Sequence, residues 1–175
     1  MTFLRLLSKK TNIDAISKTT NKVRVILLAF IIAISVAGCA SVKDFLGFVT
    51  KINISFEASQ DLNPNAEGRP SPLVIRMYEF EDVKAFKEAD FFSLYDNENK
   101  TIGKFILAKD EVEIKPDTKH YIKRRTKPKA KFIGILAAYR DLDNARWRAI
   151  IELREDKTAE VNVYLGSAGV SVSKK

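Results

Sequence analysis

The feature that most constrains this chain is a series of short segments in which apolar and polar residues alternate. KINISFEA (Lys51–Ala58) places Ile52, Ile54, Phe56 and Ala58 on one face and Asn53, Ser55 and Glu57 on the other. ARWRAIIEL turns Trp147, Ala149, Ile151 and Leu153 one way, and TAEVNVYL does the same with Ala159, Val161, Val163 and Leu165. A period of two belongs to a strand with one face buried and one face wet. PLVIRMYEF and FIGILAAY are apolar on both faces, as strands covered on both sides must be. Further strands are expected at Glu111–Ile114, His120–Arg124 and Val170–Val172. Helical spacing occurs in EDVKAFKEAD, through Val83, Phe86 and Ala89, and in FFSLYD, through Phe91, Leu94 and Tyr95. The pattern predicts a mainly β, two-sheet sandwich over 49–175 with a helical insertion at about 82–95.

The N-terminus follows other rules. Residues 1–24 carry Arg5, Lys9, Lys10, Lys18, Lys22 and Arg24 against one acid, Asp14. VILLAFIIAISVA (Val25–Ala37) follows without a charge. A basic region, a short apolar run and small residues describe a secretory signal at 1–38. The run is too short to cross a bilayer comfortably. Val36-Ala37-Gly38-Cys39 resembles a bacterial lipobox, in which the cysteine is acylated and the chain is cut before it. Cys39 is the one cysteine of the chain, so its thiol has no intrachain disulfide partner. The expected cofactor inventory is therefore empty apart from a covalent lipid on Cys39, followed by a tether at 39–48. Three acyl chains would make dissociation negligible, since each buried methylene contributes roughly 0.8 kcal/mol. Ala40 after the cysteine points to the outer membrane, since aspartate there is the inner-membrane retention signal of well-studied lipoprotein sorting. The whole chain has 30 basic and 22 acidic residues. Without the leader the excess falls to about +3, which removes the main argument for a nucleic-acid partner.

Catalytic chemistry finds little to stand on. His120 is the one histidine, and no serine lies in a nucleophile-elbow setting. Asp141, Asp143 and Glu152 fall at calcium-loop spacing, but Arg146 occupies the place where the sharp turn needs glycine. Asp141–Asn144 reads better as a hairpin turn closed by local side-chain bonds, with Arg140, Arg146 and Arg148 available to pair with its acids. No metal cluster, phosphate cradle or dinucleotide fingerprint is present in the sequence. KRRTKPKAK (Lys123–Lys131) has six cations in nine positions. It reads as a solvated hairpin loop, with anionic headgroups or an acidic partner as the functional alternative. Without interleaved aromatics it does not suit base stacking. The chain reads as a binding module and not as an enzyme.

The connection between the first two strands is more elaborate than a turn requires. LNPNAEGRPSPLVIRMYEF holds Pro64, Gly68, Pro70 and Pro72 before the second strand. Together with VAGC, ADFFSLYD and GILAAYRDLDNARWRAIIEL, in this order and spacing, it resembles the type VI secretion outer-membrane lipoprotein family, TssJ/VasD. The resemblance covers nearly all of the chain after Cys39, the basic run at 123–131 excepted. It implies a transthyretin-like sandwich and a non-enzymatic role. Such a lipoprotein, lipid-anchored on the periplasmic face of the outer membrane, tethers the trans-envelope complex. It does so by binding the periplasmic C-terminal region of TssM, an IcmF-like inner-membrane protein. The first interstrand loop is implicated in that contact. Here the corresponding residues are Asp61, Leu62, Asn63, Pro64, Asn65, Ala66, Glu67, Gly68 and Arg69, with Leu62 as apolar anchor and Arg69 directed at a partner carboxylate. Prolines fix φ and so reduce the entropy lost on docking. The rival readings are a lipid-anchored sandwich that binds a carbohydrate or small molecule and a membrane-tethered hydrolase. No metal or small-molecule substrate is expected on the first reading.

Overall fold

The computed structural model describes residues 49–154 and 157–174. The leader, Cys39 and the tether up to Phe48 lie outside the described residues.

Among the described residues, eight strands form two four-stranded sheets. They are β1 (Lys51–Ala58), β2 (Leu73–Phe80), β3 (Ile106–Ile114), β4 (Lys119–Arg125), β5 (Phe132–Ala137), β6 (Arg148–Glu152), β7 (Ala159–Gly166) and β8 (Gly169–Lys174). One sheet has the order β4-β1-β7-β8 and the other β3-β2-β5-β6. The β1–β7 pair is parallel, with Ile54 opposite Val161, and the remaining pairs are antiparallel. The mainly β sandwich expected from the alternation is the observed fold.

The inward faces are the ones the alternation specifies. Ile52, Ile54 and Phe56 of β1 meet Leu73, Ile75 and Met77 of β2. Ile133 and Ile135 of β5, Ile151 of β6 and Val161, Val163 and Leu165 of β7 complete that core. The outer face of β2 and β5 is also covered. Tyr78, Phe80 and Leu136 pack there against Phe86, Phe91, Leu94 and Ile102. These come from α1 (Lys84–Glu88), α2 (Phe91–Tyr95), α3 (Glu98–Thr101) and a 3-10 turn at Gly103–Phe105. This explains why β2 and β5 are apolar on both faces. A fully buried phenylalanine such as Phe86 contributes about 1.5–3 kcal/mol relative to exposure.

The helical segment is held by specific bonds. Asp90 caps α2 by accepting from the Ser93 amide at 2.9 Å and its hydroxyl at 2.6 Å. The Arg148 guanidinium donates to the carbonyls of Phe86 at 2.7 Å and Ala89 at 2.8 Å, satisfying the free end of α1. Arg148 thus serves the helices and not the Asp141–Asn144 turn. That turn is closed by the Asn144 amide group, 2.9 Å from both Asp141 oxygens. The expected arginine–aspartate pairing there is not found among the described residues.

Three other expectations need correction. The helical insertion runs past Tyr95 to Phe105, because α3 and the 3-10 turn carry too few apolar residues to show a period. The strand expected at Glu111–Ile114 begins at Ile106, its first half being only half-buried. The basic run is not wholly solvated. Glu79 is fully buried, and it is met by the Arg124 guanidinium and by the Lys127 amide at 2.6 Å. Arg124 also holds Asp110 at 2.6 Å. A buried carboxylate requires such partners, so Arg124 joins the two sheets.

The sandwich has two distinct ends. At one end stand the start of β1, the β4–β5 loop and the end of β6. Thr126 bonds Thr50 there, and Leu153 donates to the Lys131 carbonyl at 2.8 Å. At the other end stand the β1–β2 loop, the β5–β6 connection and the β7–β8 turn. Eight residues of β1 separate the ends by roughly 25 Å.

Candidate partner-binding loop

The β1–β2 connection is a folded element in its own right. Ser59 donates to the Leu165 carbonyl at 2.9 Å and accepts from Asp117 at 3.1 Å, which fixes the start of the loop to the end of β7 and to the β3–β4 connection. Leu62 is fully buried in the sandwich core, and its carbonyl accepts from the Ser71 amide at 3.0 Å. Leu62 therefore cannot be a free apolar anchor for a partner. It anchors the loop to its own domain, as the one side chain of the polar stretch with core-forming chemistry.

Asn63 does the second part of the work. It is buried, with φ 45°, a left-handed conformation that asparagine tolerates better than most residues. Its amide donates to the Pro72 carbonyl at 2.9 Å, and its oxygen accepts from the Arg140 amide at 2.9 Å. One side chain thus joins the loop's two stems and ties them to the β5–β6 connection. Asn65 organises the tip: its side-chain oxygen accepts from Glu67 at 3.1 Å and Arg69 at 2.8 Å. The backbone of Asn65 exchanges further bonds with Gly68 and Arg69. Gly68 adopts φ 73° with open space around its missing side chain, so the turn requires glycine for its backbone and not for room.

These constraints leave Ala66, Glu67, Gly68, Arg69 and Pro70 exposed, together with Asp61. Glu67 and Arg69 stand 3.5 Å apart as an exposed ion pair. Arg69 is therefore not waiting for a carboxylate; it already has one, which a partner would have to share or replace. Pro64 and Asn65 are half-buried. A cleft of about 490 Å³ opens beside them, walled by Asn63–Ala66, Tyr139–Asp141 and Ser167. Tyr139 is almost fully buried, and its hydroxyl has no hydrogen-bond partner among the described residues. Burial pushes that phenol well above its ordinary pKa, so it is a neutral donor. The contribution of Tyr139, Arg140 and Ser167 was not visible from spacing, since they lie more than seventy residues from Asn63. For Tyr139 and Arg140 the signal was present only as the stretch GILAAYRDLDNARWRAIIEL, which the fold places against LNPNAEGRPSPLVIRMYEF.

No group of His, Cys, Asp or Glu among the described residues is placed to hold a metal ion. His120 is half-buried near Phe56, ring centroids 6.3 Å apart, and pairs with it in register between β1 and β4.

The comparisons decide what kind of protein carries this loop. Residues 50–168 match the T6SS-SciN family, described as type VI secretion lipoprotein, VasD, EvfM, TssJ. The chain belongs to the type VI secretion lipoprotein family. It is similar to the T6SS lipoprotein TssJ1 from Pseudomonas aeruginosa, with 33% identity and a TM-score of 0.70 over 72% of this chain and 96% of that one. It is also similar to Serratia marcescens Lip, a membrane-bound component of the type VI secretion system, at 26% identity and a TM-score of 0.63, covering 72% of this chain and 97% of that one. A chain in the structure of the T6SS protein TssM C-terminal domain (869–1107) from EAEC shares the fold, at 22% identity and a TM-score of 0.57 over 71% of this chain and 97% of that one. No curated protein sequence matches.

Proposed function

We propose that this lipoprotein is acylated on Cys39 and held at the periplasmic face of the outer membrane. There it tethers the type VI trans-envelope complex by binding the periplasmic C-terminal region of TssM. Its role is that of a scaffold, without catalysis. Family membership supports the lipid anchor and the place in the secretion system. The fold's match to a chain in a TssM C-terminal domain structure supports the choice of partner. The observation that carries the contact site is the β1–β2 loop. Its stems are fixed by Leu62 and Asn63, its tip at 66–70 is exposed, and it stands at the end of the sandwich opposite to the start of β1. A chain tethered through Cys39 thus presents this tip away from the membrane, with its conformation already paid for in folding.

The test is fractionation followed by co-purification. Cells producing the wild-type chain are expected to hold it, acyl-labelled, in the outer-membrane fraction, and detergent extracts are expected to bring TssM down with it. Cys39→Ser is expected to lose both the label and the membrane fraction. Acyl label retained in Cys39→Ser, or wild-type chain recovered without TssM, contradicts the proposal.

A further inference from the structure

The partner contact leaves the basic run unused, and the fold explains where it is. The β4–β5 loop stands at the end of the sandwich where the chain arrives from Cys39. Thr126 accepts from the Thr50 amide at 3.1 Å and donates its own amide to the Thr50 carbonyl at 2.9 Å. Lys51 is paired in register with Arg125. Lys51, Arg125, Lys127 and Lys129 are all exposed, and none makes an ion pair among the described residues. Lys131, by contrast, has Glu81 at 3.7 Å.

Two further observations separate this loop from an ordinary solvated turn. The sequence from Tyr121 to Arg140 contains no acid. The β6–β7 connection at the same end is balanced in sequence, with Arg154 and Lys157 around Glu155 and Asp156. Glu81, Asp82, Glu152 and Glu160 also stand at this end, outside ion-pair reach of the four cations. The loop is also tied to the sandwich. Lys127 donates its amide to buried Glu79, Lys131 donates to the Phe80 carbonyl at 2.8 Å, and Ala130 is fully buried. The turn Lys127-Pro128-Lys129-Ala130 places Lys129 at φ 68°, a position that favours glycine. The chain keeps a lysine there.

We propose that the β4–β5 loop, with Lys51 beside it, is an electrostatic foot that rests on the anionic phospholipid headgroups of the membrane holding Cys39. The inference rests on the lipid-anchor reading. Lys51 lies twelve positions after Cys39, so an anchored chain keeps this end within about 43 Å of the surface even when the tether is fully extended. Tethering converts the encounter into an intramolecular one, and four exposed cations without an ion pair among the described residues supply attraction over the Debye length of about 8–10 Å. With the foot down, the β1–β2 loop tip points into the periplasm.

Amine footprinting of the mature acylated chain in vesicles tests this, with flotation run in parallel. Modification of Lys51, Lys127 and Lys129 is expected to slow severalfold in phosphatidylglycerol-containing vesicles relative to phosphatidylcholine. Lys100 and Lys115 are expected to react alike in both. Raising salt to about 1 M, where the Debye length is about 3 Å, is expected to abolish the protection. The variant Lys127→Glu/Lys129→Glu is expected to float as before but lose protection of Lys51. A floating chain whose loop lysines react equally in both vesicles overturns the foot. Protection seen only after an acidic protein is added also overturns it. A chain that does not float refutes the anchor itself, and the foot with it.

Discussion

Asn63→Ala is the substitution in which the structure of the loop makes its sharpest demand. The change removes two hydrogen bonds, to the Pro72 carbonyl and from the Arg140 amide, each 2.9 Å long. Pro72 and Arg140 are themselves exposed, so water can reach the abandoned groups, and each bond counts at about 1 kcal/mol and not more. The backbone adds to this. At φ 45° an alanine costs about 1 kcal/mol that asparagine largely avoids. The sum is about 3 kcal/mol, a large part of the stability of a typical domain. Asn63→Asp keeps the acceptor for Arg140 and tolerates the same backbone, but turns the donor facing Pro72 into a second acceptor; it should cost about 1–2 kcal/mol. Urea unfolding followed by circular dichroism measures both, and an unchanged m-value shows that the comparison is of stability alone. Asn63→Ala within about 0.5 kcal/mol of wild type would refute the bracket. Equal losses for alanine and aspartate would refute the roles assigned to Arg140 and to the left-handed backbone.

Two further predictions follow from the helical side of the sandwich. A Cβ at Gly134 would lie 2.7 Å from Phe86 and 2.8 Å from Phe80, rings locked in a packed cluster, so Gly134→Ala is expected to destabilise by about 1–3 kcal/mol in the same urea assay. Glu98 loses solvation on folding, which opposes its charge. Lys109 at 2.8 Å and the Tyr78 hydroxyl at 2.6 Å outweigh that, and its carboxyl is held below the usual value. A depressed carboxylate pKa contributes stability above the unfolded value, about 4.3, and loses it as pH falls through the folded value. Stability curves against pH should therefore drop less steeply below about pH 4.3 in Glu98→Gln than in wild type; identical slopes would contradict the assignment.

How far the sequence revealed the fold depends on which contacts are local. Alternation in β1, β6 and β7 placed the inward residues correctly, because a strand's period is written in neighbouring positions; Trp147 is the exception, its ring packing edge-on against Phe91 of the outer cluster. The double-sided apolar character of β2 and β5 announced a covered outer face, which the helical segment supplies. Leu62 was misread because its burial depends on the loop folding back until Ser71 meets its carbonyl. Arg148 and Arg124 were misassigned for the same reason. Their partners, the carbonyl of Phe86 and buried Glu79, are 62 and 45 residues away. At the candidate site, the exposed tip was legible from Pro64, Gly68 and Pro70. The cleft beside it was not, since it exists only where Asn63 meets Arg140.

The central claim is that the exposed loop tip holds TssM, and calorimetry tests it most directly. The chain from residue 40 to 175 is titrated with the periplasmic C-terminal region of TssM, alongside the variant Glu67→Lys/Arg69→Glu. That variant reverses both exposed tip charges and leaves Leu62 and Asn63 in place. Saturable binding by the wild type, weakened at least about tenfold or 1.4 kcal/mol in a variant of unchanged stability, is the predicted result. Equal affinity in the two chains, or no binding by the wild type, would contradict it.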